Sequence, residues 1–67
     1  MEDAASPQAE LSSITTALDE LTRRVTRIAD RSAGTDLDWL ATDLYEGERS
    51  LREARRRLDR SVERLRR

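Results

Sequence analysis

The chain has 67 residues, so it forms at most one domain with a small core. It contains no Cys and no His, which excludes disulfides and the usual zinc ligand sets. Its 13 basic residues, all Arg, nearly balance 14 acidic ones, and a net charge of −1 argues against polyanion binding by the molecule as a whole.

The composition also indicates where the chain works. No apolar run approaches the roughly 20 residues of a membrane span, and no signal-peptide core follows Met1. Basic residues that are all Arg are typical of a GC-rich bacterial genome. We therefore expect a soluble, cytoplasmic bacterial protein. Because so short a chain has neither disulfides nor a metal, we expect a partner chain to supply extra stability.

Residues 1–6 are predicted to be a flexible tail, and a first helix is predicted over about 7–33. Ser6 and Pro7 are a typical helix start, with Ser at the N-cap and Pro at the first helical position. Apolar residues then alternate at steps of three and four, the heptad pattern of a helix that packs along one side. They are Leu11, Ile14, Leu18, Leu21, Val25 and Ile28.

Gly34 is predicted to end this helix in a left-handed conformation, within a bend at 34–35. Thr35 and Asp38 resemble a capping box, which would start a second helix over about 36–66. Two long helices joined by so short a bend are predicted to lie antiparallel, as a hairpin over 7–67. The heptad stripe of the second helix is Leu37, Leu40, Leu44, Gly47, Leu51, Ala54, Leu58, Ser61 and Leu65.

The two stripes match when the chain is folded about its bend. Leu21 is then expected opposite Gly47, whose missing side chain would let the helices approach closely, and Asp19 is expected near Arg49. The predicted hairpin core consists of Leu11, Ile14, Leu18, Leu21, Val25, Ile28, Leu40, Leu44, Leu51 and Leu58.

A single hairpin covers only one side of each stripe, so a Leu-rich strip is expected to stay exposed. The predicted fold is therefore an all-α, antiparallel two-helix hairpin of coiled-coil type that dimerises into a four-helix bundle. A larger protein partner is an alternative cover for the strip. A parallel dimer of one bent helix and a domain-swapped form also remain open.

Arginine is concentrated at the end of the chain. Residues 49–67 hold nine Arg and three acids, whereas residues 1–48 hold four Arg and 11 acids. The favoured interpretation is a solvated helix face, partly neutralised by its neighbour and by pairs such as Glu48 with Arg52. A basic surface for an acidic protein is a second interpretation. A phosphate-tracking stripe is a third, possible but not favoured because no aromatic residue is interleaved for base stacking.

The two aromatic residues, Trp39 and Tyr45, lie off the Leu stripe. Trp39 either covers the bend or, like Tyr45, anchors a protein interface. The residues predicted to bind a partner are Trp39, Tyr45, Arg49, Arg52, Arg56 and Arg60.

Nothing in the sequence predicts catalysis. Without His, Cys or Lys, no nucleophile and base can be paired, and there is no Gly-rich phosphate loop. Asp36, Asp38 and Asp43 are interpreted as acids at a helix N-terminus rather than as a magnesium site. We therefore expect a non-enzyme with no metal, no cofactor and no small-molecule substrate.

The stretches ALDELTRRVTRI and LYEGERSL resemble the small subunit of exodeoxyribonuclease VII. That resemblance implies a short helical hairpin that supports a large nuclease subunit. The sequence as a whole leads us to expect one of two functions. The first is an interaction, scaffold or regulatory hairpin that acts by self-association and partner binding. The alternative is an accessory subunit of a nucleic-acid enzyme or transcription complex, with its Arg face near phosphate.

Overall fold

A computed structural model describes residues 6–67, which form two helices packed side by side. Helix α1 spans Pro7–Ser32 and helix α2 spans Asp38–Arg66. No strand occurs within residues 6–67. The predicted all-helical hairpin is therefore confirmed at the level of two packed helices. The predicted tail, apart from Ser6, lies outside the described residues.

Contacts between the helices establish their direction. A guanidinium nitrogen of Arg55 lies 3.0 Å from a carboxylate oxygen of Asp19, and the Tyr45 hydroxyl lies 2.7 Å from a carboxylate oxygen of Asp30. The later residue of α1 thus meets the earlier residue of α2, so the helices are antiparallel.

The start of α1 follows the prediction. Ser6 has extended backbone angles, and its side-chain oxygen accepts a hydrogen bond of 3.1 Å from the backbone N–H of Ala9. Pro7 occupies the first helical position, where its missing N–H would have no partner inside the helix. The Ser-Pro pair therefore sets this boundary through local chemistry alone.

The connection between the helices is longer than predicted, because it covers 33–37 instead of 34–35. Gly34 has φ = +77°, which confirms the left-handed glycine. Its N–H donates to a carboxylate oxygen of Asp38 at 2.7 Å. The first acid of α2 is thus bonded to the backbone of the bend.

Thr35 holds the middle of the connection. Its hydroxyl donates to the carbonyl of Ser32 at 2.6 Å and accepts from the N–H of Leu37 at 3.0 Å. Thr35 therefore caps backbone groups on both sides of the bend. Asp38, the other member of the predicted capping box, binds Gly34 instead of Thr35.

The buried seam between the helices is made of small and hydroxyl-bearing residues. No large side chain in the described chain is fully buried. The seam hydroxyls are satisfied within α1, since Thr15, Thr22 and Ser32 each donate to a carbonyl three or four residues earlier, at 2.7–2.9 Å. The buried residues are Thr15, Thr22, Ala29 and Ser32 on α1 and Ala41 and Val62 on α2.

Large apolar residues flank this seam instead of filling it. Seven of the ten predicted core residues are half-buried. The other three, Ile14, Leu21 and Ile28, are 43%, 46% and 42% exposed, contrary to the expectation that they lie in the hairpin core. Each sits one position, or about 100° of helix rotation, before a seam residue of α1, and therefore lies on a broad side of the hairpin instead of facing α2. The predicted stripe is therefore right in its period but rotated relative to the partner helix.

The hairpin is one helix layer thick. Its Cα atoms extend over 50 × 23 × 11 Å. Each helix consequently has one neighbour and leaves the rest of its circumference uncovered. Neither α1 nor α2 is both long and apolar enough to cross a membrane.

Candidate functional site

One broad side of the hairpin carries an apolar face. Its most exposed members on α1 recur every seven residues, and we call Ile14, Leu21 and Ile28 the large row. Leu37 at the bend and Leu65 near the open end, 45% and 49% exposed, extend this face along the hairpin. Half-buried leucines lie between the helices beneath it: Leu11, Leu18, Leu40, Leu44, Leu51 and Leu58.

The α2 side of the same face is built differently. Three residues at seven-residue spacing, Gly47, Ala54 and Ser61, form what we call the small row. Ala54 lies one position before Arg55, which contacts Asp19 of α1, and Ser61 lies one position before the buried Val62. Gly47 lies seven residues before Ala54 in the same column. The large row bears the same relation to the α1 seam. The two rows therefore lie on one side of the hairpin, large on α1 and small on α2.

Gly47 has no packing role within the single chain. A Cβ atom added there meets nothing within 4 Å. The close approach expected between Leu21 and Gly47 does not occur, because the helices touch through the neighbouring column of residues. Glycine in a helix interior costs about 1 kcal/mol relative to alanine. The residue leaves a shallow recess in the apolar face.

The opposite side of the seam is held by polar contacts. Arg55 bridges Asp19 at 3.0 Å and Asp59 at 3.1 Å. Its Nε is buried with no hydrogen-bond partner among the described residues. Asp19 thus pairs with Arg55 and not with Arg49 as expected. This bridge joins the helices on the side away from the apolar face.

Tyr45 makes the second polar link between the helices. Its hydroxyl donates to Asp30, and this hydrogen bond, with partial burial and the nearby carboxylates, raises the pKa of Tyr45 above 10.0. Trp39, by contrast, is 61% exposed and does not cover the bend. The two aromatic residues therefore do not form one patch.

The predicted arginine stripe is largely neutralised by local acids. Arg60 has no ion-pair partner among residues 6–67, whereas the other three residues each pair with a Glu of the preceding turn. The pairs are Arg49 with Glu46 at 3.3 Å, Arg52 with Glu48 at 2.6 Å and Arg56 with Glu53 at 2.6 Å. Such pairs leave little uncompensated charge for a phosphate backbone.

Pairing with an arginine lowers the pKa of two carboxyl groups. The guanidinium of Arg56, which hydrogen-bonds Glu53, lowers the pKa of that carboxyl below 4.5. Arg23 does the same for Glu20. These acids stay ionised in weakly acidic solution, so the paired arginines remain compensated there.

Two depressions in the described surface are lined mainly by charged residues that pair with one another. One of about 210 Å³ is lined by Asp19, Thr22, Arg23, Arg52, Arg55 and Arg56. Its arginines pair with acids, and the Thr22 hydroxyl already donates to the carbonyl of Leu18 at 2.7 Å. Another depression brings Tyr45, Arg49 and Arg52 together with Glu48, but not Trp39. Within the described part of the chain, no three His, Cys, Asp or Glu residues are placed to hold a metal ion.

The sequence indicated some of this arrangement and missed the rest. It predicted an exposed Leu-rich strip, but it did not place Thr15, Thr22 and Ala29 at the contact with α2. The Asp19–Arg55 link and the recess at Gly47 were not predicted. Both depend on how far each helix is rotated about its axis, which the heptad period does not specify.

The fold and this surface define the molecule as a small helical hairpin with one exposed apolar face. Comparison with protein-family profiles, curated proteins and solved structures gives no match. The resemblance to the exodeoxyribonuclease VII small subunit therefore gains nothing from these comparisons, and function has to be argued from the surface itself.

Proposed function

We propose that this chain is a non-enzymatic protein–protein interaction hairpin that self-associates through its apolar face, so that two chains form a four-helix bundle. One observation carries the proposal. Small and hydroxyl-bearing residues fill the seam within the chain, while Ile14, Leu21 and Ile28 point away from it. A chain that worked alone would be expected to bury its largest aliphatic side chains.

The free energy at stake is large for a chain of this size. Full burial of an aliphatic side chain is worth about 1.5–3 kcal/mol. Covering the exposed half of Ile14, Leu21, Ile28, Leu37 and Leu65 would contribute on the order of 5 kcal/mol per chain. A domain of this length typically has only about 3–10 kcal/mol of total stability. Association through this face can therefore decide whether the hairpin is stably folded.

The geometry suits a second helical layer. The hairpin is one layer thick, and its apolar face runs from Leu37 at the bend to Leu65 near the open end. Two such faces placed together give each helix a second neighbour, which is the packing of a four-helix bundle. The outer side then presents charged residues to water.

The proposal is tested by solution mass over a range of concentrations, with size exclusion and light scattering. We expect wild type at twice the 7.7 kDa of one chain. Leu21→Gln on the apolar face should shift the mass towards that of a single chain. Trp39→Gln, which removes an exposed apolar side chain outside this face, is the matched control and should remain a dimer. A wild type that is monomeric at all concentrations would refute the proposal.

The alternative function, an accessory subunit of a nucleic-acid enzyme with an Arg face near phosphate, has no comparable support. Arg49, Arg52 and Arg56 already pair with acids of their own helix. A further protein partner on the outer surface is compatible with the dimer, since Trp39 stays exposed there.

A further inference from the structure

We propose that the two hairpins associate with their bends at the same end, so that α1 of each chain lies against α2 of the other and the large row of one seats over the small row of the other. This inference rests on the proposed function, self-association through the apolar face. It adds the identity of the surfaces that meet and their direction.

Shape is the first argument. The large row and the small row share one side of the hairpin and one seven-residue spacing. A two-fold axis parallel to the helices keeps both copies at the same height. Leu21 of one chain then falls between Gly47 and Ala54 of the second copy, where the recess at Gly47 is open. Ile14 likewise meets the gap between Ala54 and Ser61, while Ile28 lies between Leu40 and Gly47. Two of the three large residues therefore meet a gap between small ones.

The cost of a helical glycine at Gly47 adds to the shape argument. Nothing in its own chain approaches the position that a Cβ would take, so the cost of a mid-helix glycine is not offset inside the hairpin. A second copy whose Leu21 occupies that space offsets it. The same-end arrangement accounts for this residue, whereas the single chain does not.

Charge is the second argument. In α1, residues 7–20 hold three acids and no Arg, while residues 21–32 hold four Arg and one acid. In α2 the order is the same, with four acids and no Arg over 38–48, then eight Arg and three acids over 49–66. Antiparallel neighbours therefore set acidic halves beside basic halves, and parallel neighbours set like charges together.

Two identical hairpins whose apolar faces meet have only two arrangements, one with the bends at the same end and one with the bends at opposite ends. Both make the neighbouring helices antiparallel, so both match the charges and shape decides between them. With the bends at opposite ends, each helix lies beside its own copy. That arrangement sets the large row on the large row and leaves the small row facing a gap. Only the same-end arrangement satisfies both shape and charge.

Residues at the rim of the face agree with this arrangement. Glu10, Arg31, Asp43 and Arg64 have no ion-pair partner among residues 6–67 and border the apolar face. In the same-end dimer, Arg31 lies near Asp43 of the second copy, and Glu10 lies near Arg64 of the second copy. With bends at opposite ends and each helix beside its own copy, Asp43 instead lies near Arg64 of the second copy.

Engineered disulfides test the arrangement cleanly because the natural chain has no Cys. Leu21→Cys, Gly47→Cys and Ala54→Cys are made separately, and their dimeric mass and helicity are checked under reducing conditions. Each variant is then oxidised alone and in 1:1 mixtures, since a disulfide needs Cα atoms within about 4.4–6.8 Å. We expect a disulfide dimer when the Leu21→Cys chain is mixed with the Gly47→Cys or Ala54→Cys chain, and little from any variant alone.

The outcomes separate the arrangement from the proposed function. A Leu21→Cys or Ala54→Cys chain that cross-links efficiently to itself places like helices side by side and overturns the same-end arrangement. Dimers that yield none of these disulfides overturn it as well. A monomeric wild type refutes self-association itself.

Charge reversal at the rim gives a second readout. Arg31→Asp should weaken dimerisation roughly tenfold, since two symmetric contacts become repulsive. Adding Asp43→Arg to the same chain should restore it. If Asp43→Arg is rescued by Arg64→Asp and not by Arg31→Asp, the bends lie at opposite ends and the proposal is overturned.

Discussion

At the scale of single residues, Tyr45 shows how far a side chain's function depends on helix rotation. The sequence predicted it as an anchor for a partner, because it lies off the Leu stripe. In the structure it donates a hydrogen bond to Asp30 across the hairpin. The prediction failed to find this link because a heptad period fixes which residues share a column but not which column faces the other helix.

This hydrogen bond predicts a loss of stability in alkaline solution. The folded pKa of Tyr45 is raised above the 10.0 of the unfolded chain, so the unfolded chain loses its proton first. The stabilisation is therefore fully present below pH 10 and is lost as pH rises through the folded pKa. Tyr45→Phe should flatten the dependence of melting temperature on pH between 9 and 11, measured by circular dichroism. Equal slopes for variant and wild type would contradict the assignment.

The local boundaries were the most predictable features. Ser6, Pro7 and Gly34 act through their own backbone chemistry, so their positions in the sequence were enough to place the start of α1 and the left-handed bend. The start of α2 was predicted at about 36 and lies at Asp38, because Thr35 and Asp38 bond to backbone groups around the bend instead of forming the expected reciprocal pair.

At the scale of the helices, the seam depends on small size more than on hydrophobicity. Ala29 is fully buried, and Ala41 is nearly so. Such residues let two helices approach closely, whereas the residues of the large row would hold them apart. The sequence predicted the period of the stripe correctly, but the period does not decide which column of α1 faces α2. The structure selects the column of smallest side chains.

Overpacking this seam provides a prediction for the element. Ala29→Leu should lower the free energy of unfolding by about 1–3 kcal/mol, because a large side chain must force the helices apart. Ala9→Leu adds the same atoms at an exposed site of α1. It should change the free energy of unfolding by no more than about 0.5 kcal/mol. Urea unfolding followed by circular dichroism measures both. Equal effects for the two variants would show that Ala29 does not lie at a tight contact.

At the scale of the whole molecule, one charge pattern favours both the antiparallel hairpin and the proposed dimer. Both helices run from an acidic to an Arg-rich half. Folding the chain into an antiparallel hairpin therefore sets opposite charges side by side, and the proposed dimer repeats this match between chains. The excess of arginine over 49–67 is balanced by the excess of acids over 1–48, so the chain as a whole is nearly neutral.

The same pattern predicts weak binding to nucleic acid. Each phosphate contact to duplex DNA contributes about −0.9 to the slope of log affinity against log salt, so four working contacts would give roughly −3.6. Because three of the four stripe arginines pair with acids, we expect weak binding and a much shallower slope. Replacing the four arginines of the stripe by Gln should change the DNA affinity and its salt slope little. These residues are Arg49, Arg52, Arg56 and Arg60.

Releasing the arginines supplies the matched control. Gln in place of Glu46, Glu48 and Glu53 removes their ion-pair partners while preserving side-chain size. Affinity for a fluorescein-labelled DNA duplex, measured by anisotropy at 50 and 200 mM salt, should then rise, and its salt slope should steepen. A steep wild-type slope that the arginine replacements abolish would instead show that the stripe contacts phosphate despite its acids. The accessory-subunit function would then be favoured over the interaction hairpin.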